Sequence, residues 1–224
     1  MGDVETDDIS IERYVRRIVL YFLNNSASKL PIKRSEVINH CVNGKRKVLL
    51  RTFPIAVEKL LEVYGIKILE VTEMAQKPYI CVSCDPAPSQ QMYTEPQQKD
   101  ITLLMIILTF LFMKDSPVSE EGLFQFLQKF KIFVDEPHPF FGDNIKKTIT
   151  ETFVKQLYLK KEKIVFEGRN DESIVYSWGF RSKHEFPKAD VLEHTAENRN
   201  REFIKVQSKL CLQVRSIPLL VLLE

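Results

Sequence analysis

The stretch from Ile101 to Phe130 constrains the fold more than any other part of the chain. It opens with thirteen residues, Ile101 to Met113, that are apolar except for Thr102 and Thr109. It stops at Lys114-Asp115-Ser116-Pro117 and resumes as Ser119-Glu120-Glu121-Gly122-Leu123-Phe124-Gln125-Phe126-Leu127. A bilayer span needs about 18 or more such residues, so no membrane is expected. A shorter helix that is apolar on most faces must be surrounded by protein. The run predicts a helix over Ile101–Met113 at the centre of a core, and a second helix from Ser119 to about Phe130.

A chain of 224 residues has room for one large domain or two small ones. The net charge of +2 creates no overall field that demands a nucleic-acid partner. Residues 1–8 carry Asp3, Glu5, Asp7 and Asp8 and no base, the opposite of a secretory leader. They are expected to be a disordered acidic tail. The cysteines Cys41, Cys81, Cys84 and Cys211 are therefore expected to be reduced thiols in the nucleus, or also in the cytoplasm.

Two similar halves emerge along the chain. In the first, residues 9–84, Ile11, Tyr14, Val15, Ile18, Val19, Phe22 and Leu23 recur at helical spacing. A second segment follows Pro31, with Ser35 as a candidate N-cap. A third, Phe53 to Tyr64, stops at Gly65. Ile66 to Val71 and Tyr79 to Val82 read as paired strands. Residues 85–100, with three prolines and four glutamines between Asp85 and Lys99, read as a linker. The second half, residues 101–195, repeats the order. Two helices lead to capped helical segments ending near Tyr158, then strands Leu159–Phe166 and Ser173–Trp178 around the turn Gly168-Arg169-Asn170-Asp171. The expected class is mostly α with small β wings (α+β), as tandem winged-helix domains. Residues 196–224 form a C-terminal tail with the apolar run Ile217 to Leu223.

Winged helices bind DNA or proteins, so the plan alone decides no function. From Lys29 to Arg51 there are seven basic residues and one acid, Glu36. Lys45, Arg46, Lys47 and Arg51, with Lys146, Lys147, Lys160 and Lys161 in the second half, are candidate phosphate contacts. The competing reading is an ordinary solvated face. Cys81-x-x-Cys84 has no second pair at metal-ligand spacing, so no metal site is expected. No nucleophile–base arrangement or glycine-rich phosphate loop stands out, which predicts no enzyme, cofactor or small-molecule substrate. Trp178 is expected to pack the wing onto the helices.

Several blocks resemble the MAGE (melanoma-antigen) homology domain. They are Leu103 to Leu108 with Phe112-Met113-Lys114, Phe141-Gly142-Asp143, Ile149-Thr150-Glu151-x-Phe153-Val154, and above all Tyr176-Ser177-Trp178-Gly179-Phe180-Arg181. Phe180 departs from the proline usual there, and Tyr64 from phenylalanine. The resemblance implies a non-enzymatic adaptor for a RING-type ubiquitin ligase, most like the subunit of the SMC-type DNA-repair and recombination complex. Its implied partners are a RING-type E3 ligase subunit, a kleisin-type element and double-stranded DNA. It also implies that Phe22 and Leu23 form an apolar anchor for the RING partner, while helical period alone makes both core residues. A stand-alone DNA-binding or transcription regulator is the alternative.

Overall fold

A computed structural model describes residues 2–84, 94–165 and 172–186. The first unit comprises α1 (Gly2–Ser26), α2 (Arg34–Val42), α3 (Arg46–Tyr64) and the antiparallel strands β1 (Ile66–Glu70) and β2 (Tyr79–Ser83). Val15, Ile18 and Phe22 of α1, Val37 and Cys41 of α2, Ala56 and Leu60 of α3, and Tyr79 of β2 close its core.

Helix α1 runs from Gly2, through the residues that the sequence reads as an acidic tail. The third helix also starts earlier than expected, at Arg46, and carries Pro54 inside it. A proline usually reads as a helix start. Here Leu49 and Thr52, both buried, hold an additional two turns against the core, and the Thr52 hydroxyl donates to the Val48 carbonyl at 2.9 Å.

The second unit comprises α4 (Glu95–Lys114), β3 (Val118–Ser119), α5 (Glu120–Lys129), α6 (Ile145–Lys147), a π-helical turn (Thr148–Thr152), α7 (Phe153–Lys155), β4 (Leu159–Val165), β5 (Glu172–Trp178) and α8 (Phe180–Glu185). Its sheet has the order β3-β5-β4. The linker is shorter than expected, because Glu95 to Asp100 open α4. There the Thr94 amide donates to the Gln97 side-chain oxygen at 3.0 Å, half of the reciprocal capping arrangement. Residues 85–93, the turn Gly168–Asp171, Cys211 and residues 187–224 lie outside the described residues.

The apolar run behaves as its composition demands. Leu103, Leu104, Ile107, Leu108 and Leu111 are buried, and α5 adds Leu123, Phe126 and Leu127. The Phe110 and Phe126 rings stack at 3.8 Å between centroids. The Trp178 indole N–H donates to the Leu108 carbonyl at 3.2 Å, so the wing is fastened to α4.

The halves match in structure as well as in order. Ile32, just after Pro31, bridges Tyr79, and Val118, just after Pro117, pairs with Tyr176. In each unit a short extended segment before the second helix therefore joins the last strand of the wing.

Candidate functional site

The two units meet at α8. Arg181 is fully buried. Its Nη1 donates to the Cys81 carbonyl oxygen and its Nη2 to the Lys29 carbonyl oxygen at 2.7 Å, both in the first unit. Its Nε donates to the Gln156 carbonyl oxygen at 2.9 Å. Glu185 Oε1 accepts from Arg181 Nη1 at 2.9 Å and lies 3.5 Å from Lys29 Nζ. The Tyr158 hydroxyl donates to Glu185 Oε2 at 2.7 Å. A planar guanidinium with its donors distributed in this way satisfies the rule that buried charge must be paired and hydrogen-bonded. Around it, Val71, Ile80 and Val82 of the first unit pack with Leu157 and Phe180 of the second. Gly179 lets the end of β5 lie against the Leu157–Tyr158 backbone of the same unit. A Cβ there would collide with the Leu157 carbonyl and lie 2.7 Å from the Tyr158 carbonyl carbon.

No single residue in this network stands out as a site in the sequence, although Gly179, Phe180 and Arg181 belong to the best-matching block. The partners of Arg181 are main-chain carbonyls 100 and 152 residues away, and carbonyls leave no mark in a sequence.

The expected exposed Phe22-Leu23 anchor is corrected in its first member. Phe22 is fully buried, with Phe53 and Tyr79 rings at 6.0 and 6.1 Å. Helix α1 turns it inward because it shares the ridge of Val15, Ile18 and Val19. Leu23 is half-buried at the rim of that core. Leu20, three residues earlier, is 47% exposed, and Leu30 beyond the helix is 46% exposed.

The basic candidates separate into two kinds. Lys45, Arg46, Lys47 and Arg51 are gathered at the start of α3, all exposed. Among the described residues none of the four has an acidic partner within ion-pair distance. Leu50, 70% exposed, stands among them. In the second unit Lys146 lies 2.8 Å from Asp135, Lys160 2.8 Å from Glu162, and Lys161 3.8 Å from Glu120. The Lys146 and Lys160 ammonium groups are pushed up by those hydrogen-bonded carboxylates. Lys160 and Lys161 are neighbours on β4 and so face opposite sides of the sheet. Lys147 is exposed beside Lys146. In the second set Lys160 thus faces away from Lys161, and acids oppose three of the four lysines.

Cys81 and Cys84 do not form a shared site. Cys81 points into the core and its thiol is pushed up to about 11 by burial, whereas Cys84 is exposed. Among the described residues no group of three His, Cys, Asp or Glu side chains could hold a metal ion, and no helix is long and apolar enough to cross a membrane.

Comparison with known proteins agrees with this architecture. The chain is 31% identical over 193 residues to the Mus musculus Non-structural maintenance of chromosomes element 3 homolog, covering 86% of this chain and 68% of that protein. It is 30% identical to the Homo sapiens homolog, covering 62% of it, and 29% identical to Homo sapiens Melanoma-associated antigen D4, covering 25% of it. A chain of the solved Nse1-Nse3-Nse4 complex superposes with a TM-score of 0.75 at 27% identity, covering 90% of this chain and 96% of that one. The family model of the MAGE homology domain matches residues 18–189. The chain belongs to the MAGE homology domain family.

Proposed function

We propose that the chain is the MAGE-type subunit of a nuclear, SMC-associated DNA-repair complex. It would hold a RING-type ubiquitin ligase subunit and a kleisin, and act by binding and ordering them rather than by bond chemistry. The observation that carries this reading is the likeness, over 90% of this chain and 96% of the other, to a chain of the Nse1-Nse3-Nse4 complex. Holding partners together raises their effective concentration without any new catalytic group.

For the RING subunit we favour the apolar rim of the first unit, with Leu23 as its centre and Leu20 and Leu30 beside it. Phe22 supports this rim from the core instead of entering a partner groove. For DNA we favour the start of α3, where Lys45, Arg46, Lys47 and Arg51 meet no acid among the described residues. Cations there would neutralise phosphates, and Lys146, Lys147, Lys160 and Lys161 would add less because carboxylates already oppose three of them.

The test is co-expression of the full chain with the RING and kleisin subunits. A stable three-protein complex, from which Leu23→Asp releases the RING subunit, is the expected result. A chain that stays alone and binds one DNA sequence selectively would favour the stand-alone regulator instead.

A further inference from the structure

We infer that the groove between the N-terminal half of α1 and the C-terminal end of α3 is a docking site for an acidic amphipathic helix of a partner protein. The groove has a volume of 520 Å3 and is lined by Glu12, Arg13, Val15, Arg16, Val19, Lys59, Val63 and Tyr64. Its floor is apolar, because Val15 and Val19 are buried core residues of α1. Its wall is apolar and uncovered, since Val63 is 68% and Tyr64 51% exposed.

Two adjacent exposed apolar side chains at the end of a helix are ordinary on their own. The charges around them select a kind of partner. Arg13, Arg16 and Lys59 face Glu12 alone within the groove, and none of the three cations is within ion-pair distance of an acid among residues 10–84, 94–164 and 172–186. Glu58 and Glu62, the neighbouring acids of α3, do not line it. A cationic rim over an apolar trough is complementary to a helix whose apolar residues recur at i, i+3, i+4 and i+7 with acids on its flanks. A second copy of this groove would bring like charges together, which disfavours self-association.

The groove is distinct from the start of α3 and adjoins the proposed RING rim, since Arg16 and Val19 lie within about one turn of Leu20 on α1. Arg13 and Leu23 are about 15 Å apart along α1, and Tyr64 and Arg46 about 27 Å apart along α3.

The probe is a labelled synthetic helix with Leu at i, i+3, i+4 and i+7 and Glu elsewhere, titrated into the full chain by fluorescence anisotropy. The control helix carries Lys in place of every Glu. We expect saturable, salt-sensitive binding of the acidic helix only, with amide shifts at Val15, Val19, Val63 and Tyr64. The Arg13→Glu, Arg16→Glu double variant, on an exposed helix face, should weaken it about tenfold or more, and Val63→Asp should do the same without touching the cations. No binding, equal binding of the Lys helix, shifts elsewhere, or dimerisation through this face would each overturn the inference.

Discussion

The Arg181 guanidinium of the second unit donates to the Cys81 carbonyl oxygen of the first, in a position fully closed to solvent. With its bond to the Lys29 carbonyl oxygen it joins the two winged-helix units through main-chain acceptors. Glu185, 8% exposed, neutralises it. Removing Arg181 leaves the Gln156, Cys81 and Lys29 carbonyls without their guanidinium donor and Glu185 with only Lys29 and the Tyr158 hydroxyl.

Arg181→Ala should therefore cost about 3–5 kcal/mol. Arg181→Lys should recover little, because an ammonium lacks the planar fork that reaches several carbonyls at once. Urea unfolding of the full chain, followed separately by the Trp178 fluorescence of the second unit and by a probe in the first, provides the check. The variant should lose the coincidence of the two transitions. A single transition close to that of the unmodified chain would mean that Arg181 does not couple the units.

Gly179→Ala should be destabilising by on the order of 2 kcal/mol or more, since the neighbouring atoms are backbone and cannot swing aside. Thermal melting of this variant beside Gly44→Ala distinguishes crowding from φ. Gly44 has a positive φ of 80° but open space where a methyl group would sit, so its cost should be the smaller.

Phe22→Ala should cost about 3–5 kcal/mol by opening a cavity in the first core. Leu23→Ala, at the rim, should cost clearly less. Paired measurement of melting temperature and RING co-purification separates the two roles. Loss of binding with only a small fall in melting temperature is expected for Leu23 alone.

Neutralising Lys45, Arg46, Lys47 and Arg51 should weaken duplex binding similarly across sequences. It should also reduce the slope of log K against log salt by about 0.9 for each phosphate that is no longer neutralised. Neutralising Lys146, Lys160 and Lys161 should change that slope less. Gel shifts over a salt series would decide, and a larger effect from the second set would reverse the assignment.

His138 provides a pH dependence. Its Nδ1 accepts from the Phe140 and Phe141 amides at 3.1 and 3.2 Å, and burial lowers its pKa from the ordinary 6.5. A protonated Nδ1 cannot accept, so below pH 6.5 the unfolded chain takes up more protons than the folded one. Stability should fall as pH drops through 6.5 toward the lowered value, and be fully present above it. Replacing His138 with Asn should flatten that part of the stability curve.

Much of the fold was legible because each unit uses local signals. The Ile101–Met113 run, the alternation in the wing strands and Gly65 as a helix stop all depend on neighbours within a few residues. Boundaries were less legible where packing overrides a local cue. The third segment reads from Phe53, and burial of Leu49 and Thr52 moves its start back to Arg46, while the proline-rich residues 85–99 concealed the helix start at Glu95. Similarly, the apolar Phe22-Leu23 pair was visible as a pair. Which of the two faces solvent depends on where α3 and β2 press against α1.

The sequence by itself determined two winged-helix units, their order and the cores that hold each one, because hydrophobic period and turn residues act over short range. Only the tertiary structure decided that Arg181 locks the units together, that Phe22 is closed off, and that one basic cluster meets no acid among the described residues while the other does. Those outcomes depend on distances between groups far apart in the chain, and charge or exposure is a property of the neighbours that folding supplies.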